Sequence, residues 1–595
     1  MCVFPPKAAH IASPVYRNKS VMYKIDYSGG ECPVVAAAVI TFGEGASVNL
    51  TRTGGLAVAA AAGLALIAAG LAPAAAAHLT PRGSAAPVVT HYKGTTGVAR
   101  MVPRTARHAT GATRMLQRGS RLSGHTFSPA ERVPRAPAAG ASRAAAATAS
   151  TLSNFNGTSS RDSQFTNYNL EFEPPDQGLC EANGFVLEPV NSAYRVYLTS
   201  GKSIRGPFNI NDLFNVGGKE FTSDPRCWYD PATTTWFATI LFLNDAGTQG
   251  TELIAVRHAK DPLGLWNEYS IDATDPGGRG CPCFGDQPRI GIDQQNLYIT
   301  ADQFSIQGPQ FDGGELWVIN KAALVAGKPT VKFAHFGNLK VEGQTTMAPQ
   351  PALSTVKPHA EFMLSQLDFN GRGDNRIGVW AITHRAAVAT GGLPTVSSIV
   401  VNSEQYANPP APPQKGSTSK LNPDDDRMQQ TEFADNAVWG ELSTAVTPAG
   451  DSAVRAGAAW FQVKPRLAGG VVVGAKMVRQ GYIDAPGQYL IYPALQPDAA
   501  GNAAVVFTES NSTEFPSAAY ATLKAGASNF GAPVVVAKGT GPYSRQSGRW
   551  GDYSFAVPGA GDTAWLATEY IPPKLSQTTD GAQNWGTRVF QVPLG

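Results

Sequence analysis

In the stretch 286–305, DQPRIGIDQQNLYITADQFS, apolar and polar residues alternate at Ile290 and Ile292. A polar turn at 294–296 follows, and then a run of β-formers at 297–300. Period-two alternation on both sides of a turn predicts a β-hairpin. Related phrases recur at 183–198, 224–240, 350–366, 426–441, 492–508 and 551–568, which makes seven hairpins. Their anchors at 184, 225, 288, 351, 427, 493 and 552 lie 41 to 76 residues apart. Self-similarity at such a period marks a repeat architecture.

Further β-rich runs lie between the hairpins, at 253–256, 266–271, 316–319, 331–334, 377–382 and 396–401. Four strands per repeat, many Gly and Pro turns and no sustained helical period predict an all-β fold. We read a β-propeller of seven four-stranded blades, with six or eight as the neighbouring counts. The last copy is followed by one clear β run, 585–592. Closure of the ring then requires an outer strand from the N-terminal side, around 152–172. The rival is an open or six-bladed ring with a decorated edge.

The domain reading follows from composition. Residues 1–50 show no clear period and read as an unstructured extension or a mis-assigned start, with initiation near Val48. At 51–78, Arg52 precedes an apolar run from Leu56 to Leu71 and a small-residue end, the pattern of a secretory signal peptide. A signal-anchor helix is the alternative, since 56–77 is long enough to span a membrane. Residues 79–150 are rich in Ala, Arg and Pro, with nine Arg between Arg100 and Arg143 against the single acid Glu131. That composition predicts a disordered linker, either a solvated leader or a tether to an anionic envelope. Residues 151–595 form the propeller. The small net charge of +3 excludes a charge-driven nucleic-acid or membrane partner, and a monomer is expected.

Four of the six cysteines fall in the propeller: Cys180, Cys227, Cys281 and Cys283. Export through an oxidising compartment predicts two disulfides among three possible pairings. Cys281 and Cys283 are spaced unlike zinc ligands, so no metal site is expected there.

Innermost strands of a propeller start at one rim of its central channel, so polar residues just before them gather at one mouth. This places Asp224, Arg226, Arg289, Arg427 and Arg549 as ligand-binding candidates. Asp286, Asp552, Tyr553 and Glu569 are the catalytic candidates. Guanidinium forks suit a carboxylate, and neighbouring acids can serve as general acid or base. The bland alternative is that these Asp/Arg pairs only link neighbouring blades. Asp368, Asn370 and Asp374 offer oxygen ligands at loop spacing for a structural calcium, against the simpler reading of a solvated loop. No cofactor is otherwise expected.

The phrases DPRCWYDPATTTWF, DPLGLW, CPCFGDQPRIGID, DNRIGVWAIT, DDDRMQQ and GRWGDYSFAV resemble a group of secreted bacterial propeller proteins without established activity. That resemblance covers 150–595 and implies fold and export, hence a secreted or envelope-associated bacterial protein, but no reaction. The run from Thr578 to Trp585, TTDGAQNW, resembles one degenerate Asp-box of the sialidase superfamily. It keeps the Asp and Trp, with Ala582 in place of Gly and Asn584 in place of Thr. The sialidase plan would set an arginine cluster on a carboxylate and a Glu-assisted Tyr nucleophile, for which Tyr553 and Glu569 are the candidates. Against it stand the single box, the six blades of sialidases and the missing Arg-Ile-Pro start motif.

Three functions remain in view. They are binding of an extracellular glycan or anionic polymer at the mouth, glycoside hydrolysis of sialidase-like type, and a structural or protein-binding envelope role.

Overall fold

The computed structural model of the 595-residue chain describes residues 88–102 and 150–595, except 219, 276–277, 279, 309, 546–547 and 574–582, together with four strands within 10–41. The expected signal peptide at 51–78 and most of the linker lie outside the described residues, as does most of the Asp-box-like turn. The chain divides into two compact units, 1–84 and 85–595. In the first, where no period was legible, His10–Ile11, Val15–Arg17, Ser20–Asp26 and Ala36–Thr41 form one antiparallel sheet. That sheet replaces the reading of 1–50 as wholly unstructured.

The second unit is a seven-bladed β-propeller. Its innermost strands are Cys180–Ala182, Phe221–Asp230, Cys283–Ile292, Gln350–Pro351, Met428–Ala434, Tyr489–Pro497 and Phe555–Pro558, for blades 1 to 7. Each opens an antiparallel sheet running outward through strands consecutive in sequence. Every innermost strand touches the next, and that of blade 7 touches that of blade 1, so the ring is closed. The closing strand is Ser153–Ser159, paired with Gly586–Pro593 as the outer edge of blade 7. The strand before blade 1 and the last strand of the chain thus share one blade, where the unpaired last run placed them.

Burial explains why the hairpins stood out. The second strands Asn296–Ser305 and Ala437–Val446 are buried along their whole length, because each blade is covered on both faces by its neighbours. Their sequences therefore read as nearly continuous β-formers. The outer strand Thr330–Val341 instead alternates buried and exposed positions, as a half-solvated strand does. Apolar layers fill the spaces between blades. One example sets Trp439 and Trp460 of blade 5 against Val505 and Phe507 of blade 6.

The linker reading needs a correction at 88–102. Thr95–Met101 lies antiparallel to the outer strands of both blade 2 and blade 3, and Thr90–His91 pairs with that of blade 4. The Ala/Arg-rich composition hid a strap that covers three outer edges. Such edges otherwise expose unpaired N–H and C=O groups to other chains.

The cysteines pair as Cys180–Cys227 and Cys281–Cys283. The first staples the innermost strands of blades 1 and 2 across 47 residues. Replacing both Cys180 and Cys227 by Ser is expected to remove about 2–5 kcal/mol of stability, read as a lower urea midpoint. Among the described residues no helix is long and apolar enough to cross a membrane.

Candidate functional site at the channel mouth

The repeat carries a local device that aims side chains into the channel. In blade 2 the strand register breaks between Ser223 and Arg226, in blade 3 between Asp286 and Arg289, and in blade 6 between Ile491 and Ala494. Each break holds a non-glycine residue in the left-handed region: Asp224 at φ 61°, Gln287 at 50° and Tyr492 at 55°. A proline follows each of them, Pro225, Pro288 and Pro493. Proline has no N–H for the ladder and is tolerated at a bulge. The bulge kinks the strand and re-aims its side chains. Left-handed backbone at Asp, Gln and Tyr costs free energy and is a feature of functional sites.

The side chains so aimed meet in one buried network. Asp176 precedes blade 1, Asp224 lies in blade 2 and Asp552 precedes the innermost strand of blade 7. One carboxylate oxygen of each lies within 4.8 Å of the others, and all three residues are 2–3% exposed. Asn191 ties two of them together, donating from Nδ2 to Asp176 Oδ2 at 2.7 Å and accepting the Asp224 N–H at 2.9 Å. Tyr553 donates its hydroxyl to Asp224 Oδ1 at 2.5 Å. The Arg226 guanidinium stacks over the Tyr553 ring, 3.3 Å from its centroid.

The other arginines are matched to carboxylates. Arg289 Nη2 donates to Asp302 Oδ2 at 2.7 Å. Arg427 grips Asp425 through Nε and Nη2, both at 2.7 Å, and lies 3.2 Å from Asp424. Arg549 Nη2 reaches both oxygens of Asp552, at 2.8 and 2.7 Å. Gln287 joins the groups across the channel. It donates to Asp552 Oδ2 at 3.2 Å and accepts from Arg289 and Arg427.

Carboxyl groups outnumber guanidiniums here, and burial makes the surplus costly. Burial, reinforced by Asp552 and Asp224, holds the Asp176 carboxyl well above the ordinary range. Burial and the charges of Asp224 and Asp552 do the same to Asp286. Asp224 is raised by burial and by Asp552. Burial pushes Asp424 to about 7 and Glu569 to about 8. Asp425 differs: burial would raise it, but the Arg427 grip holds it below its usual value. An electrostatically coupled set of carboxyls with separated proton affinities can bind cations, accept hydrogen bonds from hydroxyls, or divide acid and base roles.

All nine residues expected at the mouth belong to this network: Asp224, Arg226, Asp286, Arg289, Arg427, Arg549, Asp552, Tyr553 and Glu569. The anticipated roles of Tyr553 and of the arginines are altered. Tyr553 donates to Asp224, not to Glu569, so the Glu-assisted tyrosine of the sialidase plan is not formed. Arg289, Arg427 and Arg549 meet the protein's own acids and Arg226 lies over the Tyr553 ring, so the expected arginine cluster for a ligand carboxylate is not formed. Asp176, Asn191, Gln287 and Asp302 escaped the sequence reading.

Away from the network, the Asp368 carboxylate accepts the N–H groups of Arg372 and Gly373, at 2.9 and 2.7 Å, and Asp374 pairs with Arg376. That loop is closed by its own hydrogen bonds. Glu509, at the end of a second strand in blade 6, is pushed by burial from 4.5 to about 7. A carboxyl that holds its proton more tightly in the folded chain stabilises most at low pH, and that contribution fades as pH rises from about 4.5 to about 7. Glu509→Gln should flatten the decline of the unfolding free energy across this window, measured by urea titrations at half-unit steps.

The fold and site together define a seven-bladed propeller whose innermost strands and their approaches meet in a buried, acidic, partly arginine-neutralised cluster. No family model and no curated protein matches the chain. Solved structures similar to it include the GH93 alpha-L-arabinofuranosidase of Fusarium graminearum, with a TM-score of 0.32 and 10% identity over 75% of this chain and 98% of that one. An exo-beta-1,3-galactanase from Clostridium thermocellum gives 0.26 and 11% over 74% and 96%. An alpha-L-arabinanase from Penicillium chrysogenum gives 0.25 and 11% over 62% and 92%. Likenesses at this level place no residue role and no reaction on this chain.

Proposed function

We propose that the protein is an exported glycan-binding propeller that holds its ligand at this mouth. The observation that carries the reading is the surplus of carboxylates converging from several blades. Asp176, Asp224, Asp286, Asp302, Asp424, Asp425, Asp552 and Glu569 face only Arg226, Arg289, Arg427 and Arg549. Ionised carboxylates accept strong hydrogen bonds from hydroxyl groups, and a neutral polyol presents many. An anionic polymer would instead meet a cluster in which carboxyl groups outnumber guanidiniums. Asp286, Asp424, Asp425 and Arg549 are the partly exposed members of the network, so first contact falls to them. The two disulfides accord with export.

Glycoside hydrolysis is a second reading, favoured by one feature. Close carboxyl groups with different proton affinities suit a general acid beside a base or nucleophile, at separations near 5 Å for retention of configuration. Glu569, held to about 8 by burial, is protonated at neutral pH and takes the acid role. A fluorogenic glycoside panel run on the full chain separates the readings. Turnover that disappears in Glu569→Gln supports hydrolysis, and binding without turnover leaves the glycan-binding reading. Absence of both on neutral glycans, with binding of polyanions or proteins, overturns both.

A further inference from the structure

Three buried carboxylates from separate parts of the ring share one small volume, and the protein's own cations do not reach all of them. Arg549 engages Asp552. Arg226, although adjacent, spends its face on the Tyr553 ring. Asp176 receives one hydrogen bond, from Asn191 to Oδ2, while its buried Oδ1 has no donor. A second carboxyl points the same way. Glu569 is fully buried, its Oε1 accepts no hydrogen bond, and its charge bears on both Asp176 and Asp552. Unmatched buried carboxylate oxygens are costly to leave ionised. Protons or a bound cation are the two ways to offset that cost.

We infer that Asp176, Asp224 and Asp552 form a binding site for a hard divalent cation, with calcium the best fit. The donors are all oxygen, which selects calcium, magnesium or manganese over softer metals. They come from loops and bulges rather than from a rigid octahedral cage, and calcium tolerates irregular oxygen shells. Their arrangement also explains the left-handed backbone at Asp176, φ 45°, and Asp224, φ 61°. Both kinks turn a carboxylate to the same point. A cation there would tie blade 2 and the approaches to blades 1 and 7, where the ring closes. The site is separate from the looped Asp368 region, whose carboxylate is already used. It stands whether or not the mouth binds a glycan.

The test uses the full chain, stripped with EDTA at pH 7.5 and titrated with CaCl2, and separately with MgCl2, by calorimetry and thermal unfolding. One calcium per chain is expected, with a rise in Tm of several degrees at 100-fold excess over Kd. Asp176→Asn should abolish both signals, and Asp435→Asn, at an exposed turn, should keep them. If Asp176→Asn does not fold, as judged by circular dichroism, Asp224→Asn carries the same comparison. Magnesium giving the larger response supports the site with that metal as occupant. No heat and no Tm change with either metal overturns the inference, as does calcium binding that survives both Asn variants.

Discussion

Asp302→Ala is expected to cost about 3–5 kcal/mol, the usual consequence of stranding one partner of a buried ion pair. Arg289 and Asp302 are 2% and 1% exposed and meet at 2.7 Å. Without the carboxylate, the guanidinium keeps the Gln287 amide oxygen as its acceptor. Asp302 has a second task, because Oδ1 accepts the N–H of Ala348 at 2.9 Å. Ala348 is itself left-handed, at φ 49°, so the same substitution releases the segment leading into blade 4. Urea unfolding reads the loss. Asp302→Asn should reproduce most of it, because the charge is removed while shape and size are kept. A silent Asn variant would show that volume, and not the ion pair, is what the site requires.

Removal of the closing strand is expected to have the largest effect of all. A chain beginning at Ser160 lacks Ser153–Ser159, leaving Gly586–Pro593 as an unpaired outer edge of blade 7. It also loses the Phe155 ring, which packs against Tyr197 of blade 1 and Trp565 of blade 7 at 5.1 and 6.2 Å. Glu188, fully buried, loses two of its hydrogen bonds, from the N–H and hydroxyl of Thr158 at 2.8 and 2.9 Å. The strand therefore completes one blade and seals it to the next. Neighbour contacts carry most of the stability of a repeat array, so an opened ring should lose its single cooperative transition and aggregate through the bare edge. Calorimetry compares it with a chain beginning at Ser150. Equal, sharp transitions for the two would show that the ring does not depend on this strand.

These effects indicate what the amino-acid pattern could and could not disclose. The ring was legible because hairpins recur, each with apolar and polar residues alternating on both sides of a turn and further β runs between them. Arg226 and Arg289 were legible as candidates because they lie where the innermost hairpin strands begin. Asp176 was not, since it lies in an irregular approach before the first full repeat, where no period anchors it. Gln287 carries no charge and drew no notice, although its amide joins blades 3, 5 and 7. Asp302 sits mid-strand among β-formers, and only pairing opposite Asp286 turns it toward the network. The strap at 95–101 shows the opposite error, where an Arg-rich surrounding composition outweighed a short run of β-formers.

The most direct test of the account is binding of the full chain to an array of neutral glycans, sialylated glycans and polyanions, beside Asp286→Asn. Asp286 is half-buried at the mouth and stands apart from the arginine pairs that hold the network, so its variant should retain the wild-type Tm. The account predicts binding to a subset of neutral glycans, reduced at least tenfold by Asp286→Asn. Binding confined to polyanions, or neutral-glycan binding untouched by the substitution, would contradict it.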